Sequence, residues 1–208
     1  MRRGLGLSLI IAAGLAGGSR APAAAQEPRL AGRLPDPVRV QVDALLDSAR
    51  AAGLPTEPLV DRALEGASKR ADGVRIVTAV RRLAGELGAA RDALGLESSP
   101  AEVTAGASAL RAGARAGDLH RLRVLRARQS VTVAAAVLAD LVAVGVPPDT
   151  AAAAVIALAR SADDATYLAF RRNVERDVAL GASPVAALGV RLTATGGATA
   201  EYPGPRKP

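Results

Sequence analysis

Residues 72–94, DGVRIVTAVRRLAGELGAARDAL, are the stretch that decides the fold class of this chain. Apolar side chains recur there every three or four positions, a spacing that places them on one face of an α-helix. Asp72 precedes the stretch at the position that favours a helix N-cap. We therefore predict a helix from Val74 to about Leu94, with its arginines mostly off the buried face. The predicted buried stripe is Val74, Val77, Val80, Leu83, Leu87, Ala90 and Leu94.

Proline and aspartate divide the rest of the chain in a similar way. Pro55, Pro100 and Pro147 each open a predicted helix, and they lie 45 and 47 residues apart. An aspartate follows each proline by 17 or 18 residues, near the predicted break before a second helix. A period near 45 is typical of helix-pair repeats, although any array of helical hairpins shows comparable breaks. We predict loose repeats over residues 55–94, 100–144 and 147–183.

The predicted fold class is all-α, an array or bundle of about seven to nine helices arranged as antiparallel hairpins. Alanine is the strongest helix former, and Ser99-Pro100-Ala101-Glu102 has the form of a capping box. Asp118 is also an expected N-cap, with its helix starting at Leu119. One version of this fold is a short α-solenoid of repeats of about 45 residues. The helical domain is predicted to span residues 37–194.

The first 25 residues have the composition of a secretory signal peptide. Arg2 and Arg3 begin it, residues 5–16 form an uncharged apolar run, and Ala23-Ala24-Ala25 precede the predicted cleavage site. We therefore predict an exported protein, periplasmic or extracellular. An uncleaved membrane anchor is the alternative, but the apolar run is shorter than the roughly 20 residues that a spanning helix needs.

Segments outside these helices complete the predicted organisation. Residues 26–36 contain Pro28 and Pro35 and are followed by Pro37, and this segment is predicted to be a linker. Residues 195–208 are predicted to be a disordered tail. Residues 131–146 and 151–159 are apolar enough to suggest a membrane hairpin, but each arm is too short for a hydrocarbon layer of about 30 Å. We predict instead that residues 131–146 form a central buried helix, with no transmembrane span in the mature chain.

Composition and charge exclude few classes of function. The chain carries 27 basic and 20 acidic side chains, and removal of the leader with its three arginines leaves a net charge of +4. That charge is ordinary for solubility and does not by itself indicate a nucleic-acid ligand. The chain has no cysteine, which excludes disulfides and a lipid-anchoring cysteine.

Residues with catalytic potential are few and isolated. His120 is the only histidine, and it has no second histidine or cysteine with which to bind a metal. The acids, such as Asp163, Asp164 and Glu175, are expected to cap helices or to face arginines. No serine lies in a nucleophile motif, and no glycine-rich phosphate loop occurs. We predict a non-catalytic protein without metal or cofactor, with a hydrolytic enzyme as the least favoured alternative.

Six arginines around the break near Asp118 form the most prominent charge cluster. Because the leucines of the helix from Leu119 are expected to face inward, the arginines are expected to cover the remaining surface. Such a patch could dock phospholipid, lipopolysaccharide or an acidic protein, and a solvated helix face is the alternative. Nucleic acid is not expected, since no aromatic side chain lies nearby to stack a base. We call these residues the Arg111–Arg128 cluster: Arg111, Arg115, Arg121, Arg123, Arg126 and Arg128.

The sequence therefore predicts an exported helical-repeat module that binds or scaffolds an unknown protein partner. This function requires a concave, largely helical surface, and a compact bundle without grooves would contradict it. The alternative is a peripheral envelope adaptor that binds anionic surfaces through the Arg111–Arg128 cluster, with salt-sensitive binding to anionic liposomes as its signature.

Overall fold

A computed structural model describes residues 27–196 of the chain. The predicted leader and residues 197–208 of the predicted tail lie outside these described residues. Between residues 27 and 196 the chain forms nine α-helices and no β-strand, which confirms the predicted all-α class and the number of helices. The helices are α1 Asp36–Ala51, α2 Glu57–Ser68, α3 Gly73–Leu94, α4 Pro100–Arg111, α5 Ala116–Leu125, α6 Thr132–Ala143, α7 Pro148–Leu158, α8 Asp164–Ala179 and α9 Pro184–Ala194.

Most helix starts follow the local signals in the sequence. Asp72 caps α3, and Ser99 with Glu102 forms the predicted capping box at α4. Asp118 is not an N-cap, because α5 begins at Ala116 with Arg115 in the cap position. The Asp118 carboxylate instead accepts the N–H of Arg115 from the first turn of the helix (3.1 Å), where a negative charge is also favoured by the helix dipole.

The helices pack in series in two rows. Helices α4, α6 and α8 lie side by side in one row, and α3, α5, α7 and α9 lie side by side in the other. Contacts of α3 with α4, α6 with α7, and α8 with α9 join the rows, while α1 and α2 both pack against α3. The result is an array in which the main neighbours of each helix are close to it in sequence.

The proline spacing does not correspond to a uniform helix pair. Residues 55–94 hold α2 and α3, and residues 147–183 hold α7 and α8, but residues 100–144 hold the three helices α4, α5 and α6. Proline is tolerated in the first turn of any helix, so it marks helix starts without fixing which row a helix joins. In this structure first-turn prolines occur in both rows, for example in α4 and in α7.

The core confirms most of the predicted stripe on α3. Six of its seven residues are buried, but Val74 is 77% exposed, and Ile76 is buried in its place. Helix α1 approaches the start of α3 closely, because a Cβ on Gly73 would clash with a methyl carbon of Val38. The chain can therefore begin α3 directly against α1, while Val74 points to the open side of the helix.

The segment predicted to be a linker contributes to the core. Pro28–Leu30 form a short 3-10 helix, and Leu30 and Leu34 are buried. Their burial covers one end of the array, which explains why a stretch with several prolines is ordered here. The predicted central helix is present but shorter than residues 131–146, because α6 spans Thr132–Ala143 and the chain turns at Gly145, which has φ +97°. Residues 131–142 are all buried or half-buried.

The two aromatic residues of the described chain are its largest fully buried side chains. Tyr167 and Phe170 lie on α8, and the Tyr167 hydroxyl donates a hydrogen bond of 2.7 Å to the carbonyl of Val155 on α7. Burial raises the pKa of Tyr167 to about 12, so the phenol stays protonated and continues to donate at neutral pH. A buried phenol with a partner links the two rows without an unsatisfied polar atom.

Gly113, which follows α4, allows a test of how closely the row of α4, α6 and α8 approaches α7 in the other row. Gly113 has φ +107°, and a Cβ on it would lie 2.9 Å from the ring of Pro148 at the start of α7. Gly181, after α8, has φ +101° with nothing within 4 Å of such a Cβ. Gly113→Ala is expected to lower the free energy of unfolding by about 2–3 kcal/mol and Gly181→Ala by about 1 kcal/mol, since only the first adds a clash to backbone strain.

Urea denaturation followed by far-UV circular dichroism measures both losses. Gly181→Ala is the matched control because it carries the same backbone strain without the contact. Equal losses in the two variants would show that α7 moves away from Gly113 at no cost, and that the close contact between the rows is not required.

Candidate functional site

The Arg111–Arg128 cluster does not form one exposed patch. Arg126 is only 3% exposed, so the expectation that these arginines all cover the surface is wrong for this residue. Its guanidinium donates to the carbonyls of Ser130 (3.0 Å) and Ala162 (2.7 Å) and to Asp164 Oδ1 (2.9 Å). It also lies 5.2 Å from the centroid of the Tyr167 ring. Arg126 therefore ties the connection between α5 and α6 to α8, and none of its charge is presented to a ligand.

Arg123 is held by Glu102, a buried carboxylate on α4. Glu102 Oε1 accepts the N–H of Val131 (2.9 Å) and Arg123 Nη1 (3.2 Å), and Oε2 accepts the N–H of Ser99 (3.0 Å). Burial raises the pKa of Glu102, but the hydrogen bonds from Val131 and Ser99 and the charge of Arg123 outweigh it and lower the pKa below its usual range. This network is structural, because it satisfies the start of α6 and the start of α4 with one side chain.

Two further arginines of the cluster also have acidic neighbours. Arg115 lies 3.1 Å from Asp118 and 3.5 Å from Asp149, and Arg111 lies 3.5 Å from Glu86. The remaining two, Arg121 and Arg128, are exposed and form no ion pair with any residue between 27 and 196. Four of the six charges are thus already compensated within the fold, and the docking role of the whole cluster stays a prediction.

The residues with catalytic potential lie apart from one another. His120 is exposed on α5, and Asp163 caps α8. Asp164 pairs with the buried guanidinium described above, and Glu175 lies 3.5 Å from Arg171 Nε. Within residues 27–196, no three His, Asp or Glu side chains come close enough together to hold a metal ion. These carboxylates therefore serve as helix caps and ion-pair partners in this fold.

A concavity lies between α2, α3 and α4. Two recesses of about 450 Å³ and about 370 Å³ share Arg62, Leu83 and Arg111, and together they form a surface that we call the α2–α4 groove. Helix α3 supplies the floor, since α2 and α4 both pack against it. The groove follows α3 from Val74 to Leu87, a length of about 20 Å at 1.5 Å per residue.

Arginines dominate the larger recess of this groove. Arg62, Arg75, Arg82 and Arg111 line it, and Glu86 is its single carboxylate. Glu86 lies 3.0 Å from Arg82 Nε and 3.5 Å from Arg111 Nη1, so one negative charge is shared by two guanidiniums. The side chains of Arg75 and Arg82 are 83% and 74% exposed. The recess therefore presents a net positive charge to solvent.

Apolar surface lies beside these charges. Val74, Ala79 and Leu83 line the same recess, and Val74 is the residue that the sequence pattern wrongly assigned to the core. An apolar floor with a few charged groups at its rim is typical of a binding site. The sequence showed that Arg75 and Arg82 lie off the buried stripe, but nothing in it indicated that α2 and α4 would flank them.

The helices of the described chain are short or carry many charges. None of those between residues 27 and 196 combines the length and the hydropathy that a bilayer crossing requires.

Comparisons with known proteins give no indication of the function of this chain. The chain matches no protein-family model, and neither a curated protein nor a solved structure is significantly similar to it.

Proposed function

We propose that this chain is an exported, non-catalytic module that binds a protein partner in the α2–α4 groove. The observation that carries the proposal is the groove itself, a concavity about 20 Å long whose floor and two walls come from three successive helices. Serial packing of helices in two rows supports it, because arrays of this kind use concave surfaces for binding. The apolar start of the chain supports export.

The geometry favours this groove over the Arg111–Arg128 cluster as the ligand-facing surface. Arg126 is enclosed and Arg123 is held by the buried Glu102, so the cluster is not one continuous surface, whereas the four groove arginines line a single recess. Arg111 belongs to both surfaces and faces the groove, where it shares Glu86 with Arg82. The non-catalytic part of the proposal is supported by the carboxylates Asp164 and Glu175, which contact arginines instead of forming an acid–base pair.

Site-specific photocrosslinking in cells that export the full chain tests the location of binding. A photoreactive residue at Thr78, which is exposed on the groove, is expected to form one discrete protein adduct on irradiation. The same residue at Arg160 or Arg172, which are exposed elsewhere in the array, is the matched control and is expected to form none.

Two results would contradict the proposal. Adducts of equal yield at Thr78 and at the control positions would show contact without a defined site. Recovery of the chain only in the cytoplasm, with residues 1–25 still attached, would remove export from the proposed function.

A further inference from the structure

We propose that the occupant of the α2–α4 groove is an acidic segment of another protein that also carries apolar side chains. This inference rests on the proposed function and adds the chemistry of the partner. It follows from three features of the groove: the surplus of guanidinium groups, the apolar floor and the shape of the recess.

The surplus of guanidinium groups is the first feature. Within the larger recess four arginines face one carboxylate. Each of these arginines already contacts one acid, since Arg62 lies 2.9 Å from Glu65, Arg75 lies 3.2 Å from Asp72, and Arg82 and Arg111 share Glu86. The smaller recess also contains Asp61, which forms no ion pair within residues 27–196, so the surplus of guanidinium groups is confined to the larger recess. Each guanidinium has five N–H donors in a planar fork, so a single contact leaves donors that a carboxylate can fill.

The apolar floor is the second feature. Val74 is exposed and lines the recess together with Ala79 and the buried Leu83. An exposed valine in the same recess as Arg75 and Arg82 provides apolar surface that a small anion such as phosphate would leave uncovered. A peptide with alternating acidic and apolar side chains would cover both parts, because an extended chain directs successive side chains to opposite sides.

The shape is the third feature and decides between classes of anionic partner. The groove is a recess of about 20 Å along α3, which corresponds to about six residues of extended peptide at 3.3 Å per residue. A bilayer surface is too broad to enter a recess bounded by α2 and α4. Nucleic acid would gain no stacking, since Tyr167 and Phe170 are the aromatic residues of the described chain and both are buried.

Peptide binding to the purified full chain tests the inference. The probe is a fluorescein-labelled hexapeptide of alternating Glu and Leu, and the matched control peptide carries Gln in place of Glu. Fluorescence anisotropy is expected to show at least about tenfold tighter binding of the Glu peptide, because charge complementarity contributes to recognition at a partly desolvated site. Binding is expected to weaken when the ionic strength rises from about 0.1 M to about 1 M, since the Debye length falls from about 10 Å to about 3 Å.

Charge reversal in the groove provides the second arm. The double substitution Arg75→Glu and Arg82→Glu is expected to weaken the binding of the Glu peptide by about tenfold or more, since like charges then face each other. Arg160→Glu combined with Arg172→Glu makes the same change of net charge at exposed positions outside the groove and is expected to change affinity by less than about twofold. If the groove reversal perturbs folding, the pair Arg75→Gln and Arg82→Gln gives the same test without new negative charges beside Glu86.

The outcomes separate this inference from the proposed function. Equal affinity for the Glu and Gln peptides, no binding of either peptide, or an unchanged affinity after groove reversal would overturn the acidic partner. A crosslink from Thr78 that persists in that case would leave the groove as a binding site for a different partner. Groove-dependent binding to vesicles of anionic phospholipid without binding of the Glu peptide would overturn it in favour of a membrane ligand.

Discussion

Replacement of Glu102 with alanine is expected to lower the free energy of unfolding by about 3 kcal/mol. The substitution removes a buried carboxylate whose two oxygens accept from the backbone N–H groups of Val131 and Ser99 and from Arg123. Loss of one partner from a buried charge pair costs about 3–5 kcal/mol, and each abandoned N–H group adds a desolvation cost. The estimate is at the lower end because Arg123 is only partly buried.

Urea denaturation followed by far-UV circular dichroism measures this effect. Glu97→Ala is the matched control, because Glu97 is exposed and forms no ion pair with the rest of the described chain, and it is expected to stay within about 0.5 kcal/mol of the unmodified chain. A loss below about 1 kcal/mol for Glu102→Ala would show that water replaces the carboxylate and that the network is dispensable.

The same carboxylate predicts a direction of pH dependence. The pKa of Glu102 is lower in the folded chain than its ordinary value near 4.5, so its contribution to stability is fully present above about pH 4.5 and is lost as pH falls through the folded pKa. Glu102→Gln, which cannot titrate, is therefore expected to reduce the acid-induced loss of stability. An unchanged acid profile in this variant would contradict the lowered pKa.

Replacement of Arg126 with alanine is expected to cost about 3 kcal/mol or more. The side chain is buried, and its loss leaves the carbonyls of Ser130 and Ala162 without their donors and creates a space beside Tyr167. Breaking a buried charge pair and opening a cavity are both among the mechanisms that give large destabilisation. The half-exposed side chain of Asp164 limits the cost, since water can solvate it once the guanidinium is gone.

Arg128→Ala is the control for this second variant, because Arg128 is two residues away, exposed and without an ion pair in the described chain. It is expected to change the free energy of unfolding by less than about 0.5 kcal/mol. Arg126→Lys is expected to lie between the two, since lysine keeps the charge but lacks the planar fork that reaches three acceptors. If Arg126→Ala and Arg128→Ala had equal effects in urea denaturation, the structural role of Arg126 would be wrong.

The two variants also separate stability from binding. Glu102 and Arg126 connect α4, the α5–α6 connection and α8, whereas Arg75 and Arg82 lie on the exposed side of α3. Groove variants are therefore expected to change affinity with little effect on unfolding, and the network variants are expected to do the reverse.

Much of the fold could be predicted from local patterns. The stripe from Val77 to Leu94 and the capping box at Ser99 needed only residues within one or two helical turns, and the structure confirms both. The start of a helix was harder to predict where one residue could take either of two positions at the helix N-terminus. Asp118 could serve as a cap or as a first-turn acceptor, and the helix started three residues earlier than expected.

By itself, the sequence determined that the chain is helical, where most helices begin, and which face of α3 is buried apart from Val74, since these properties depend on neighbours along the chain. Only the tertiary structure decided that Arg126 is enclosed, because its partners Ala162 and Asp164 lie 36 and 38 residues away. It also decided that Val74, Arg75 and Arg82 line a groove, because a concave surface exists only when separate helices pack on both sides of a third.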